Sequence, residues 1–161
     1  MGKQERILIG DVFCVEVDNR FKNYFQYVAR DKTQLSSQVI RVFARHYPID
    51  SEPNSDEIVT DVVSFYAHTF IKAGILYNGW YKVGKSKNLG DTEGLMFKMS
   101  DIGRPNWWIW KINTPFVHVG TLTDEERRYD LGIVYSYLNI FHKIETGHYI
   151  NEHLDTWEES Q

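Results

Sequence analysis

This chain predicts an α+β fold: a strongly bent antiparallel sheet, or a half-open β-barrel, carrying two or three short helices. Three observations lead there. The segment Ile7 to Ala29 is a run of strand formers with a tight polar turn at its centre. About eight short strand-like segments can be read along the chain, without the alternation of strands and helices that builds parallel sheets. The aromatic fraction is 15% over 161 residues, with five Trp, ten Tyr and nine Phe, enough to fill a core.

In the opening hairpin, Phe13, Val15 and Val17 share one face by the period of two, and Cys14, Glu16 and Asp18 take the other. Asp18-Asn19-Arg20 supplies the turn. On the return, Phe21, Phe25, Tyr27 and Ala29 line one face, opposite Lys22, Gln26 and Arg30. Gln38 to Tyr47 forms a third strand, with Ile40, Val42 and Ala44 on one face and Arg41, Phe43 and Arg45 on the other. The long arginine stems are expected to cover the outer face. Pro48 ends the strand because it lacks a ladder donor.

Residues 49–61 read as a loop with one helical turn capped by Ser55. Val62 to Phe70 is a fourth strand, and Ile71 to Asn78 a short helix weakened by Gly74 or an irregular crossover. Gly79 to Gly84 is a short strand between glycines, Lys85 to Thr92 an exposed loop, and Leu95 to Met99 another strand. Asn106 to Ile112 places Trp108, Trp110 and Ile112 on one face and Trp107, Ile109 and Lys111 on the other. Phe116 to Thr121 resumes as strand, and Thr123 with Glu126 forms a capping box. Gly132 to Ser136 is a last strand. Ser136 then caps a helix whose stripe is Tyr137, Leu138, Phe141 and Ile144, stopped by Gly147. Residues 1–149 are read as a single α+β domain and 150–161 as an acidic tail.

Charge bounds the partners. The formal net charge is −4. From His148 to Gln161 stand four acids, Glu152, Asp155, Glu158 and Glu159, with no Lys or Arg. Removing them leaves 18 acids against 18 bases in residues 1–147. A neutral body lacks the basic footprint of a nucleic-acid binder. No apolar run approaches the roughly 20 residues that cross a bilayer, so no membrane partner is expected. One cysteine, Cys14, excludes an internal disulfide framework and fits a reducing cytoplasm.

Catalytic templates fail in turn. Gly79-Trp-Tyr-Lys-Val-Gly84-Lys85-Ser86 formally matches a phosphate-binding loop. That chemistry needs a compact loop opening a helix whose amides hold the phosphates. Trp80, Tyr81 and Val83 instead predict an extended strand, and Lys87 to Asp91 is a poor helix. His46, His68, His118, His142, His148 and His153 are scattered, with no metal-ligand spacing. Neither Ser64 nor Ser136 sits in a nucleophile elbow. No catalytic residue, cofactor or metal is therefore assigned.

Two features suit a partner surface. Asp50, Glu52, Asp56, Glu57 and Asp61 face no base within residues 49–61. They form either a solvated loop or a negative patch for a basic partner. Trp107, Trp108 and Trp110 form either core or an aromatic platform for a base, a sugar or a protein anchor.

Gly10-Asp-Val-Phe13, Gly79-Trp-Tyr-Lys-Val-Gly84 and Ile144-Glu-Thr-Gly-His-Tyr149, in that order, resemble the immunity proteins of bacterial polymorphic toxin systems. The group they resemble in particular is immunity protein 26. The resemblance spans residues 9–149, and departs where the second strand, Phe21 to Ala29, lacks the glycines common in that group. It implies a non-enzymatic protein that binds and neutralises a cognate protein toxin, a basic one if the acidic loop is the docking surface. The alternatives are a small β-barrel module that recognises a peptide, nucleic acid or small ligand through exposed aromatics, and a hydrolase with a spatially assembled site.

Overall fold

The computed structural model describes residues 6–101, 106–150 and 152. The first hairpin forms as its pattern requires. Strand β1 (Asp11–Val17) pairs antiparallel with β2 (Phe21–Asp31). The turn is closed by the Arg20 amide donating to the Val17 carbonyl at 2.8 Å. Asp18 and Asn19 both adopt positive φ there, 49° and 56°, a conformation that short polar side chains tolerate.

Strand β3 (Ser37–Phe43) pairs with β2, and the two-residue β4 (Tyr47–Pro48) pairs with the start of β2. A single helical turn, α1 (Ser55–Ile58), leads to β5 (Val63–Thr69) and helix α2 (Ile71–Asn78). Strand β6 (Tyr81–Lys85) then returns to the far side of β1. Next come β7 (Met96–Ser100), β8 (Trp107–Lys111) and β9 (Val117–Gly120). A 3-10 turn (Glu126–Arg128), β10 (Asp130–Leu131), β11 (Val134–Tyr135) and helix α3 (Tyr137–Thr146) follow.

The larger sheet has the order β11-β5-β3-β2-β1-β6, with β4 on β2, and the smaller the order β10-β7-β8-β9. The protein is thus α+β on a bent, largely antiparallel sheet that does not close. Two parallel pairs, β10 with β7 and β11 with β5, depart from the all-antiparallel expectation. The expected last strand, Gly132 to Ser136, shrinks to β11, while β10 just before it joins the other sheet.

Both faces of the larger sheet are covered. On one, Phe13, Val15, Phe25, Tyr27, Ile40 and Val42 form the main core with Trp80 and the buried sides of α2 and α3. On the other, Val12, Cys14, Tyr24 and Phe43 pack under Ile58 and Val59 at the end of α1. Val28 and Val39, nearer the other end, pack on Phe97 and Trp110 of the smaller sheet. This double cover explains why β1 is buried from Asp11 through Val15 rather than at alternate residues.

Local signals are placed well, with exceptions. Ser136 accepts from the Asn139 amide at 3.3 Å, and Gly147 ends α3 at φ 87°. Thr123 and Glu126 make the reciprocal capping-box bonds, at 2.9 and 3.2 Å. Helix α1 is capped by Asn54, not Ser55, because the Asn54 side chain accepts from the Glu57 amide at 2.9 Å. The buried stripe of α3 is carried by Ile140 and Ile144, while Leu138 is exposed. Arg41 does not cover an outer face, since it is 4% exposed beneath the loop after β6. Of the acidic tail, only Ile150 and Glu152 fall among the described residues; Asp155, Glu158 and Glu159 lie outside them.

Candidate functional site

The acidic arm is anchored from below. Ile58 and Val59 are buried against Tyr24, Phe43 and Tyr47, which fixes the single turn of α1 on the sheet. The Tyr47 hydroxyl donates to Asp61 Oδ2 at 2.6 Å. Burial, reinforced by that carboxylate, pushes the Tyr47 phenol up to about 12. Arg45 lies 4.4 Å from the Tyr47 ring centroid, with its guanidinium 3.8 Å from Glu57 and 3.9 Å from Asp61. A base from outside the stretch therefore offsets part of its charge. Asp50, Glu52 and Asp56 remain exposed, whereas the Asp61 side chain is only 11% exposed.

The three tryptophans of β8 divide. Trp110 is fully buried, and its indole donates to Asp31 Oδ2 at 2.9 Å. Trp107 joins the main core at 4% exposure. Neither presents a face to a partner, because the packing of the smaller sheet covers both. Trp108 is partly exposed, 4.7 Å from the His118 ring and donating to Asp101 Oδ1 at 3.2 Å. Of the expected aromatic platform, Trp108 alone retains accessible surface.

A histidine–carboxylate pair is sealed inside. His68 Nε2 lies 2.9 Å from Asp31 Oδ2, and both side chains are 0% exposed. Burial lowers the His68 pKa despite the opposing effect of Asp31, so the ring is neutral and donates its Nε2–H. Asp31 also accepts from the Gln34 and Asn113 amides. It thereby ties the end of β2 and the turn after β8 to β5, a structural task. Burial likewise pushes the Cys14 thiol up, which suppresses the reactive thiolate. Among the described residues no group of three or more His, Cys, Asp or Glu is arranged to hold a metal.

The phosphate-loop match is overturned by the backbone. Gly79 is the left-handed cap of α2, at φ 69°, and Tyr81 to Lys85 is extended strand with no helix after it before β7. Gly74, expected as a weak point, lies directly under Trp80: a Cβ there would sit 2.0 Å from the indole.

One further surface has no signature in the sequence. Between α2 and β6 lies an open groove of about 550 Å³, floored by Phe13, Ile75 and Trp80 and rimmed by Arg6, Lys72 and Lys82. Among the described residues strand β6 pairs only with β1, so it forms one margin of the larger sheet. Its neighbour across Gly84 is Ser55 of α1, which places the acidic arm beside it. The weak amphipathic pattern of α2 gives no sign that Leu76 and Tyr77 stay 59% and 70% exposed.

Among the described residues no helix is long and apolar enough to cross a membrane. A family model described as Immunity protein 26 matches residues 9–109, from the entry to β1 into β8. No curated protein and no solved structure matches the chain. The match includes the first two motifs of the resemblance and stops before Ile144 to Tyr149.

Proposed function

Since the chain belongs to the immunity protein 26 family, we propose that it binds and neutralises a cognate protein toxin without catalysing a reaction. The family match over residues 9–109 carries this reading. Its geometry is consistent: the His68–Asp31 pair is sealed in the core, while charge stands outside on anchored elements. Capture by a rigid surface depends on complementarity and electrostatic steering rather than on a reactive group.

In this reading Asp50, Glu52, Asp56 and Glu57 face a basic region of the toxin, and Trp108 supplies an aromatic contact. Asp61 positions the arm through Tyr47. The rival reading, a module working through exposed aromatics, keeps one accessible tryptophan of the three in β8. Co-expression with the product of the adjacent reading frame tests the proposal. Protection and a co-purifying complex are expected; neither appearing would remove it. Reversing Asp50, Glu52 and Asp56 to Lys should slow association about tenfold at low salt, and little at high salt. Unchanged association rates would exclude the arm.

A further inference from the structure

The margin of the larger sheet beside the groove has the properties of a strand-accepting site. Among the described residues strand β6 is paired on one side, and Tyr81 and Val83 are exposed along it. An unpaired margin is a template for another strand, and a partner that adds there turns alternate side chains toward the groove. Lys82 lies opposite Phe13, on the groove side.

Charge selects among occupants. Lys82 and Lys85 run along β6, with Arg6 and Lys72 at the groove rim and no acid among the described groove-lining residues. Three nearby acids temper this: Asp11 pairs with Lys82 at 3.2 Å, Glu16 accepts from the Tyr81 hydroxyl at 3.0 Å, and Asp56 lines an open pocket together with Lys85. Lys72 and Lys85 have no such ion pair among the described residues. A second copy pairing along the same margin would bring lysines together, which is unfavourable. An acidic strand would meet them favourably.

We propose that β6 is a docking edge for an extended acidic segment of the partner protein, which adds as a strand and sets an apolar side chain in the groove. The identity of that partner as the toxin rests on the reading above; the edge itself does not. The acidic arm and this basic edge adjoin through Ser55 and Gly84, so the partner would present basic and acidic regions side by side.

The test uses the whole chain and a fluorescein-labelled peptide, Glu-Val-Trp-Val-Asp, with Lys-Val-Trp-Val-Lys as control. Saturable binding of the acidic peptide is expected, with slowed amide exchange over residues 81–85. Lys72→Glu with Lys85→Glu should weaken it about tenfold, as should Leu76→Glu, all at exposed positions that leave the core intact. Equal binding of both peptides, no saturation, or unprotected β6 amides would overturn the proposal. So would a dimer dispersed by the acidic peptide, which would make a second copy the occupant. A toxin complex with freely exchanging β6 amides would sink the edge and spare the functional reading. Peptide binding without any toxin complex would do the reverse.

Discussion

The two faces of the larger sheet are both buried, yet they are built differently. The face under α2 and α3 is mainly apolar apart from Asp11, Asn23 and Thr69, with Phe13 and Phe25 stacked at 5.2 Å and Trp80 edge-on to Phe25 at 5.0 Å. The opposite face buries Gln26, Arg41, His68 and Asp31 among its apolar residues. There Arg41 donates to Gln26 Oε1 at 2.9 Å and to the Asn88 carbonyl at 2.8 Å, and Gln26 donates to the Gly10 and Ser86 carbonyls. One face supplies non-directional burial. The other fixes where irregular segments attach, because a buried donor left without an acceptor is costly.

The largest effect should come from the apolar face. Phe25→Ala removes a ring with 0% exposure at the centre of the helical core. A loss of about 3–5 kcal/mol is expected, measured by urea unfolding. A loss below about 1 kcal/mol would mean that this face is loosely packed and that the contrast is false.

Arg41→Met sharpens the comparison at intermediate size. It removes a buried cation whose pKa burial already lowers, and Tyr66, not a carboxylate, is what favours its charged form. It also leaves Gln26 Oε1 and the Asn88 carbonyl without their donor. Loss of about 1–3 kcal/mol is expected, with faster amide exchange concentrated in residues 86–90. Uniformly faster exchange instead would show that Arg41 acts as general packing rather than as a clamp.

The same contrast governs what is legible in the sequence. The hairpin turn, the capping box and both ends of α3 are settled by neighbours a few residues apart, so Asp18-Asn19, Thr123 with Glu126, Ser136 and Gly147 can be read directly. Arg41 cannot, because its acceptor at Asn88 lies 47 residues away. Trp107 and Trp110 share a strand with Trp108, and only the packing of the smaller sheet on the larger decides which is covered. The acidic arm is legible as charge but not as an anchored element, since Arg45 and Tyr47 precede it in the chain. The groove depends on α2 meeting β6, and no local pattern reports that.

The smallest expected effect is a pH dependence divided between two groups. Burial lowers His68 below its ordinary 6.5, opposed only by Asp31. The unfolded chain therefore takes up a proton near pH 6.5 that the folded chain refuses, so stability is lost as pH falls below that value. Asp130 works the other way. Burial pushes it from 3.8 up to about 6, although the Tyr66 amide, Lys143 and Lys98 favour its charged form. Between those values the folded chain holds a proton that the unfolded chain has released, so this contribution rises as pH falls and is lost as pH climbs through about 6. The two partly cancel in the native protein. His68→Gln should therefore make stability rise more, or fall less, from about pH 7 to about pH 5, and Asp130→Asn should make it fall more steeply. For Asp130→Asn the difference is on the order of 1 kcal/mol in stability from urea midpoints; for His68→Gln the sign of the change in slope is the readout. Parallel curves for all three proteins would show that neither burial is coupled to folding, and the polar face would then differ from the apolar one in geometry alone.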